Sequence, residues 1–70
     1  MTKGDKFLIK LEHNYYIALS TFGNLYKEKF IGIYCGRTEV GYVFAIKNRM
    51  MMIPYSKVES ISYVGDEKDD

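Results

Sequence analysis

Apolar and polar positions alternate along most of the second half of the chain. From Val40 to Ile46, Val40, Tyr42, Phe44 and Ile46 share one parity, while Gly41, Val43 and Ala45 share the other. This two-residue period predicts a strand with one core face and a second face built from small residues. Upstream, Tyr26, Phe30 and Tyr34 fall on one parity and Ile31, Ile33 and Cys35 on the other, so that the segment 26–35 alternates at first and is then apolar on both sides. A long strand passing from a sheet edge into a barrel interior has this character, and Gly32 in its middle predicts a sharp bend. Asn48-Arg49 predicts the turn of a hairpin into Met50–Ile53. Pro54 has no N–H to give to a ladder and ends that strand. Val58, Ile61, Tyr63 and Val64 supply the last one.

The N-terminal third carries two competing periods. Phe7, Leu8, Leu11, Tyr15, Ala18, Leu19 and Phe22 lie at helical spacing, with Thr2 or Asp5 as N-cap and Gly23 as a C-terminal stop. Against one long helix, Tyr15-Tyr16-Ile17 is β-prone and Asn14 breaks helices. The reading that respects both makes residues 5–12 a short helix or an edge strand and Tyr15–Thr21 the first full strand. Turn-forming residues recur at His13-Asn14, Phe22-Gly23-Asn24, Gly36-Arg37-Thr38, Asn48-Arg49 and Pro54-Tyr55-Ser56. The expected fold is mostly β: a small, strongly bent five-stranded barrel of the Sm, SH3 or OB kind, with room for a short N-terminal helix.

One stretch carries a family likeness. Tyr42-Val43-Phe44-Ala45-Ile46, a polar turn, Met51-Met52-Ile53-Pro54-Tyr55 and then Lys57-Val58-Glu59-Ser60-Ile61 resembles the second half of bacterial Sm-like proteins of the Hfq type. The likeness lies mainly in residues 24–64, and Gly32 looks like that family's bend glycine. It implies a short helix ahead of five strands, rings closed by pairing barrel edges, and RNA as ligand. The family's Tyr-Lys-His signature is replaced here by Tyr55-Ser56-Lys57, and no histidine follows His13.

Seventy residues make one domain, expected over 1–64, followed by an acidic, disordered tail over 65–70. That tail holds Asp66, Glu67, Asp69 and Asp70 against Lys68, which leaves the body mildly basic. With Cys35 alone there is no intramolecular disulfide, and Cys35 with His13 are too few ligands for a tetrahedral zinc within one protomer. The longest apolar runs are Tyr15–Leu19 and Tyr42–Ile46, far too short to span a bilayer. Lys10 and Glu12 interrupt the run Phe7-Leu8-Ile9 before it forms a signal-peptide core. These features predict a cytoplasmic protein without a cofactor.

No constellation points to catalysis. His13 sits at a turn and Cys35 on an apolar strand, the carboxylates Glu12, Glu28, Glu39 and Glu59 lie one per segment, and no glycine spacing suits a phosphate loop. Binding is better represented. Lys27, Lys29, Arg37, Lys47, Arg49 and Lys57 face only Glu28 and Glu39 within the same span, and the chain has seven tyrosines. Some tyrosines must lie on the surface of so small a domain, because each buried hydroxyl needs a partner. Cations beside exposed rings such as Tyr55 suit single-stranded nucleic acid, whose phosphates they meet while the rings stack on bases. The expected activity is therefore that of a non-enzymatic, homo-oligomeric nucleic-acid-binding regulator, with RNA as the ligand. The alternative is a small inhibitor or adaptor that docks a larger protein through an exposed strand edge and the Met50, Met51, Met52 and Ile53 surface, since consecutive methionines on a strand must point to both faces.

Overall fold

A computed structural model of the chain describes residues 1–21 and 27–66. Strand β1 (Asp5–Leu11) is followed by helix α1 (His13–Thr21), then β2 (Lys29–Arg37), β3 (Gly41–Ile46), β4 (Arg49–Pro54), a 3-10 turn (Tyr55–Lys57) and β5 (Val58–Asp66). All the strands join one sheet in the order β4-β3-β2-β1-β5, and every neighbouring pair is antiparallel.

The first element takes the strand alternative but in the sheet interior, and the second reverses the sequence expectation. Residues 5–11 are a strand in the interior of the sheet, between β2 and β5, rather than a helix or an edge. Their true period is two: Phe7, Ile9 and Leu11 are buried, and Leu8 points away from the core with 36% of its surface exposed. Tyr15–Thr21 is helical, not extended. The deciding residue is Glu12, whose carboxylate accepts the N–H groups of Asn14 (2.9 Å) and Tyr15 (3.1 Å) and so caps the helix start. Tyr15, Tyr16 and Leu19 of α1 then pack on the core, and this tertiary contact overrides β propensity.

The sheet curls strongly but does not close. A three-residue turn links the outermost strands, β4 and β5. In a flat sheet their four lateral steps amount to about 19 Å, whereas the chain from Pro54 to Val58 reaches about 14 Å at full extension. Curling is therefore forced by connectivity. Register shifts assist it at Val64 and Glu59 on β5 and at Cys35 on β2, where Gly36 adopts φ +138°. Among the described residues β4 and β5 share no ladder and pair with no further strand, so the closed barrel expected from the sequence is an open, curled sheet.

Phe7, Ile9, Leu11, Tyr34, Phe44, Ile46 and Ile53 form the core on the inner face. Phe7, Tyr34 and Phe44 meet edge to face with centroids 5.8–6.3 Å apart. Two glycines of the sheet are required by close approach, Gly32 on this inner face and Gly41, which shares the parity of Val43 and Ala45, at the start of β3. A Cβ on Gly32 would stand 3.1 Å from both the Ile9 Cδ1 and the Phe44 Cβ, and one on Gly41 would stand 2.6 Å from the Ile53 carbonyl carbon. Gly32 thus makes room for packing, while the irregularity in β2 falls at Cys35 and Gly36. The β3–β4 hairpin turns at Lys47 (φ 49°) and Asn48 (φ 66°), one residue earlier than the sequence pattern placed it, in the doubly left-handed form that matches strand twist. At the C-terminus, Gly65 and Asp66 extend β5 into the segment expected to be tail.

Candidate interaction surface

The outer face of the sheet is apolar as well. Its side chains follow from the ladder register: Leu8 lies opposite Ile31, Lys6 opposite Ile33, Ile33 opposite Ala45, Ala45 opposite Met50, and Val43 opposite Met52. An aliphatic stripe therefore runs unbroken across β1, β2, β3 and β4. Met50 is 70% exposed, Ile31 53% and Met52 43%, so no described element lies over the stripe. α1 packs on the inner side. Alternation makes this arrangement unavoidable: once Phe44, Ile46, Met51 and Ile53 turn inward, Val43, Ala45, Met50 and Met52 must turn outward.

The β1 side of the stripe is basic and polar. Lys10 lies opposite both Lys29 and Ser60, and Leu8 opposite Ser62. Lys6, Lys10 and Lys29 thus stand on this face beside two hydroxyls. The Lys10 ammonium sits 2.7 Å from the Glu59 carboxylate, whose hydrogen bond and charge hold it protonated above its ordinary pKa. Lys10 is the one lysine of the three paired with a carboxylate among the described residues.

Of the methionine segment expected to form an interface, the structure exposes Met50 and Met52 only. Ile53 is fully buried in the core, and Met51 packs half-buried against it. The remaining stripe residues, Leu8, Ile31, Ile33, Val43 and Ala45, were not singled out from the sequence, although Ile31 and Ile33 had already appeared as a second apolar parity.

Of the seven residues expected to meet nucleic acid, Arg37 is set apart from the other cations by the length of β2. Antiparallel order brings Lys29 at the start of β2, the hairpin residues Lys47 and Arg49, and Lys57 before β5 to one end, with Lys27 just ahead of β2. Arg37 lies at the other end of β2, and Tyr55 stands two residues from Lys57 on the 3-10 turn that joins β4 to β5. Tyr55 is occupied structurally: its hydroxyl donates to the Thr38 carbonyl, its N–H donates to the Val40 carbonyl at 3.0 Å, and its ring meets Tyr42 edge to face at 4.8 Å. Thr38 shapes the adjoining turn, its hydroxyl oxygen accepting the N–H groups of Val40 and Gly41 at 3.1 Å. Most described tyrosines are likewise engaged. Tyr34 is buried, Tyr15, Tyr16 and Tyr42 pack on the core, and Tyr63 meets the Phe7 ring at 5.6 Å. Tyr26 lies outside the described residues.

At the end that gathers the cations, His13 Nδ1 lies 2.8 Å from Glu28 Oε1 and ties the helix start to the approach to β2. Cys35 lies toward the opposite end of β2, its thiol donating to the Ile33 carbonyl at 3.4 Å, so the two do not form a thiol–imidazole pair. Among the described residues no three His, Cys, Asp or Glu side chains come together as a metal site. No described helix is long and apolar enough to cross a membrane. Set against known proteins, the chain matches no family model, no curated protein and no solved structure.

Proposed function

We propose that this protein is a non-enzymatic interaction module that docks a protein partner through the outer face of its sheet. The observation that carries the reading is the exposed aliphatic stripe from Leu8 through Ile31 and Ala45 to Met50 and Met52. Contiguous exposed apolar surface on a small domain marks interaction sites. Methionine suits such a site because its unbranched, polarizable side chain adapts to a partner's shape. A cytoplasmic setting fits the single cysteine.

The test is affinity capture with three forms of the protein: wild type, the outer-face variant Ile31→Lys/Met50→Lys, and the basic-end variant Lys29→Ala/Lys47→Ala/Arg49→Ala. Partners held by wild type and the basic-end variant but lost by the outer-face variant support the reading. Loss with the basic-end variant alone contradicts it.

A second reading has its own observation: Lys27, Lys29, Lys47, Arg49 and Lys57 gather at one end, and among the described residues β4 and β5 are the outermost strands, with no partner on their outer sides. These features fit an RNA-binding homo-oligomer assembled edge to edge, as the Sm-like resemblance implies. Five phosphate contacts in single-stranded RNA would give affinity falling with salt at a log–log slope of about −3.5. The separation of Arg37 from Lys29 along β2 and the occupied Tyr55 hydroxyl favour the protein-docking reading.

A further inference from the structure

The charge on the outer face also specifies the partner. Resting on the protein-docking reading above, we propose that this face takes an acidic amphipathic segment of another protein: apolar side chains laid along the Leu8–Ile31–Met50–Met52 stripe, with aspartate or glutamate on the β1 side against Lys6 and Lys29. The stripe is asymmetric. Its β4 side ends in Met50 and Met52, whereas its β1 side is bordered by Lys6, Lys10 and Lys29. The two carboxylates that act on Lys10 are both engaged, Glu59 with Lys10 itself and Glu28 with His13. Lys6 and Lys29 are the cations left to receive charge from outside.

Other occupants meet this arrangement less well. A second copy packed face to face would set lysine against lysine or lysine against methionine, neither of which neutralises Lys6 and Lys29. RNA would need bases to stack, and no aromatic ring stands on this face among the described residues; Phe7, Tyr34, Tyr42 and Phe44 all turn inward. A lipid surface is favoured by tryptophan or tyrosine at the level of the headgroups, and the same absence disfavours it. Aliphatic and thioether side chains bordered by cations on one side fit an amphipathic helix with an acidic flank.

The probes are two synthetic amphipathic peptides of about 18 residues, about five helical turns. Both carry leucines on one face, flanked in one peptide by glutamates and in the other by lysines. Binding to the full chain is measured by fluorescence anisotropy in low and high salt. The glutamate peptide is expected to bind, to weaken with added salt, and to lose about tenfold in affinity on Lys6→Glu/Lys29→Glu. That charge-reversed variant should gain the lysine peptide, and Ile31→Lys/Met50→Lys should lose both. Thermal melts of each variant separate lost binding from lost folding. Equal binding of the two peptides, abolished by Ile31→Lys/Met50→Lys, overturns the acidic partner and leaves the docking face standing. Binding by neither peptide, or binding insensitive to Ile31→Lys/Met50→Lys, overturns the inference. Saturable binding of anionic vesicles or single-stranded RNA by this face, or a concentration-dependent dimer lost on Met50→Lys, overturns it in favour of that other occupant.

Discussion

Replacing Ile53 and Met50 separately by alanine sets the two faces of β4 against each other. Ile53 is fully buried and Met50 is 70% exposed, three residues away on the same strand. Truncating a buried isoleucine removes its transfer free energy and leaves a cavity, at a cost of about 2–5 kcal/mol. A surface change away from special features stays within about 0.5 kcal/mol. A domain of this length has a total stability of roughly 4–10 kcal/mol, and each kcal/mol moves its melting temperature by about 4–8 °C. Ile53→Ala should therefore lower the melting temperature by at least about 8 °C, or unfold the domain outright. Met50→Ala should move it by less than about 4 °C. Circular dichroism melts of the three proteins under identical conditions decide the matter. Comparable losses for the two variants, or the greater loss for Met50→Ala, would refute the assignment of inner and outer faces and with it the exposed stripe.

Other positions give independent checks. Gly41→Ala should destabilise by about 1–3 kcal/mol in urea unfolding, because the added Cβ meets the backbone of Ile53 and Pro54, which cannot swing aside as a side chain can. Asn48→Gly should raise stability by a few tenths to about 1 kcal/mol, since Asn48 holds φ 66° in a turn that glycine adopts freely; a loss would show that the Asn48 side chain contributes more than its backbone strain. The Glu12 carboxyl is held below its ordinary value of 4.5, chiefly by the Asn14 N–H. A depressed carboxylate stabilises the fold above that value and loses the contribution as pH falls through its folded-state pKa. The melting-temperature gap between wild type and Glu12→Ala should accordingly be widest near neutral pH and shrink below about pH 4; a gap that widens in acid would count against the cap.

Legibility in the sequence followed the strength of the periodic signal. The β3–β4 hairpin, the stop at Pro54 and the last strand were readable because Tyr42, Phe44 and Ile46 alternate cleanly and proline cannot donate to a ladder. The N-terminal third was not, for two reasons. Phe7, Leu8 and Leu11 fit a helix as readily as Phe7, Ile9 and Leu11 fit a strand, and only pairing of β1 with both β2 and β5 decides between them. The helix that follows is short, carries β-prone tyrosines, and starts on a glutamate rather than on one of the usual capping residues. The surface was half visible. Three consecutive methionines announced an exposed apolar face, but which of them turn inward depends on the partner of each: Met51 stands opposite Phe44, whereas Met50 and Met52 stand opposite Ala45 and Val43. The cations looked like one band along the chain because sequence distance hides the reversal of direction at each turn, which carries Arg37 to the far end of the sheet from Lys29.

The most direct test of the docking face uses the chain's four methionines. With 13C-methyl methionine, Met1, Met50, Met51 and Met52 give separate NMR signals that can be followed as the glutamate-flanked peptide, or a partner recovered by capture, is added. The Met50 and Met52 methyls should shift in a saturable manner while Met51, turned into the core, changes little. Saturable binding that leaves Met50 and Met52 unmoved, or that moves Met1 alone, would contradict the docking face.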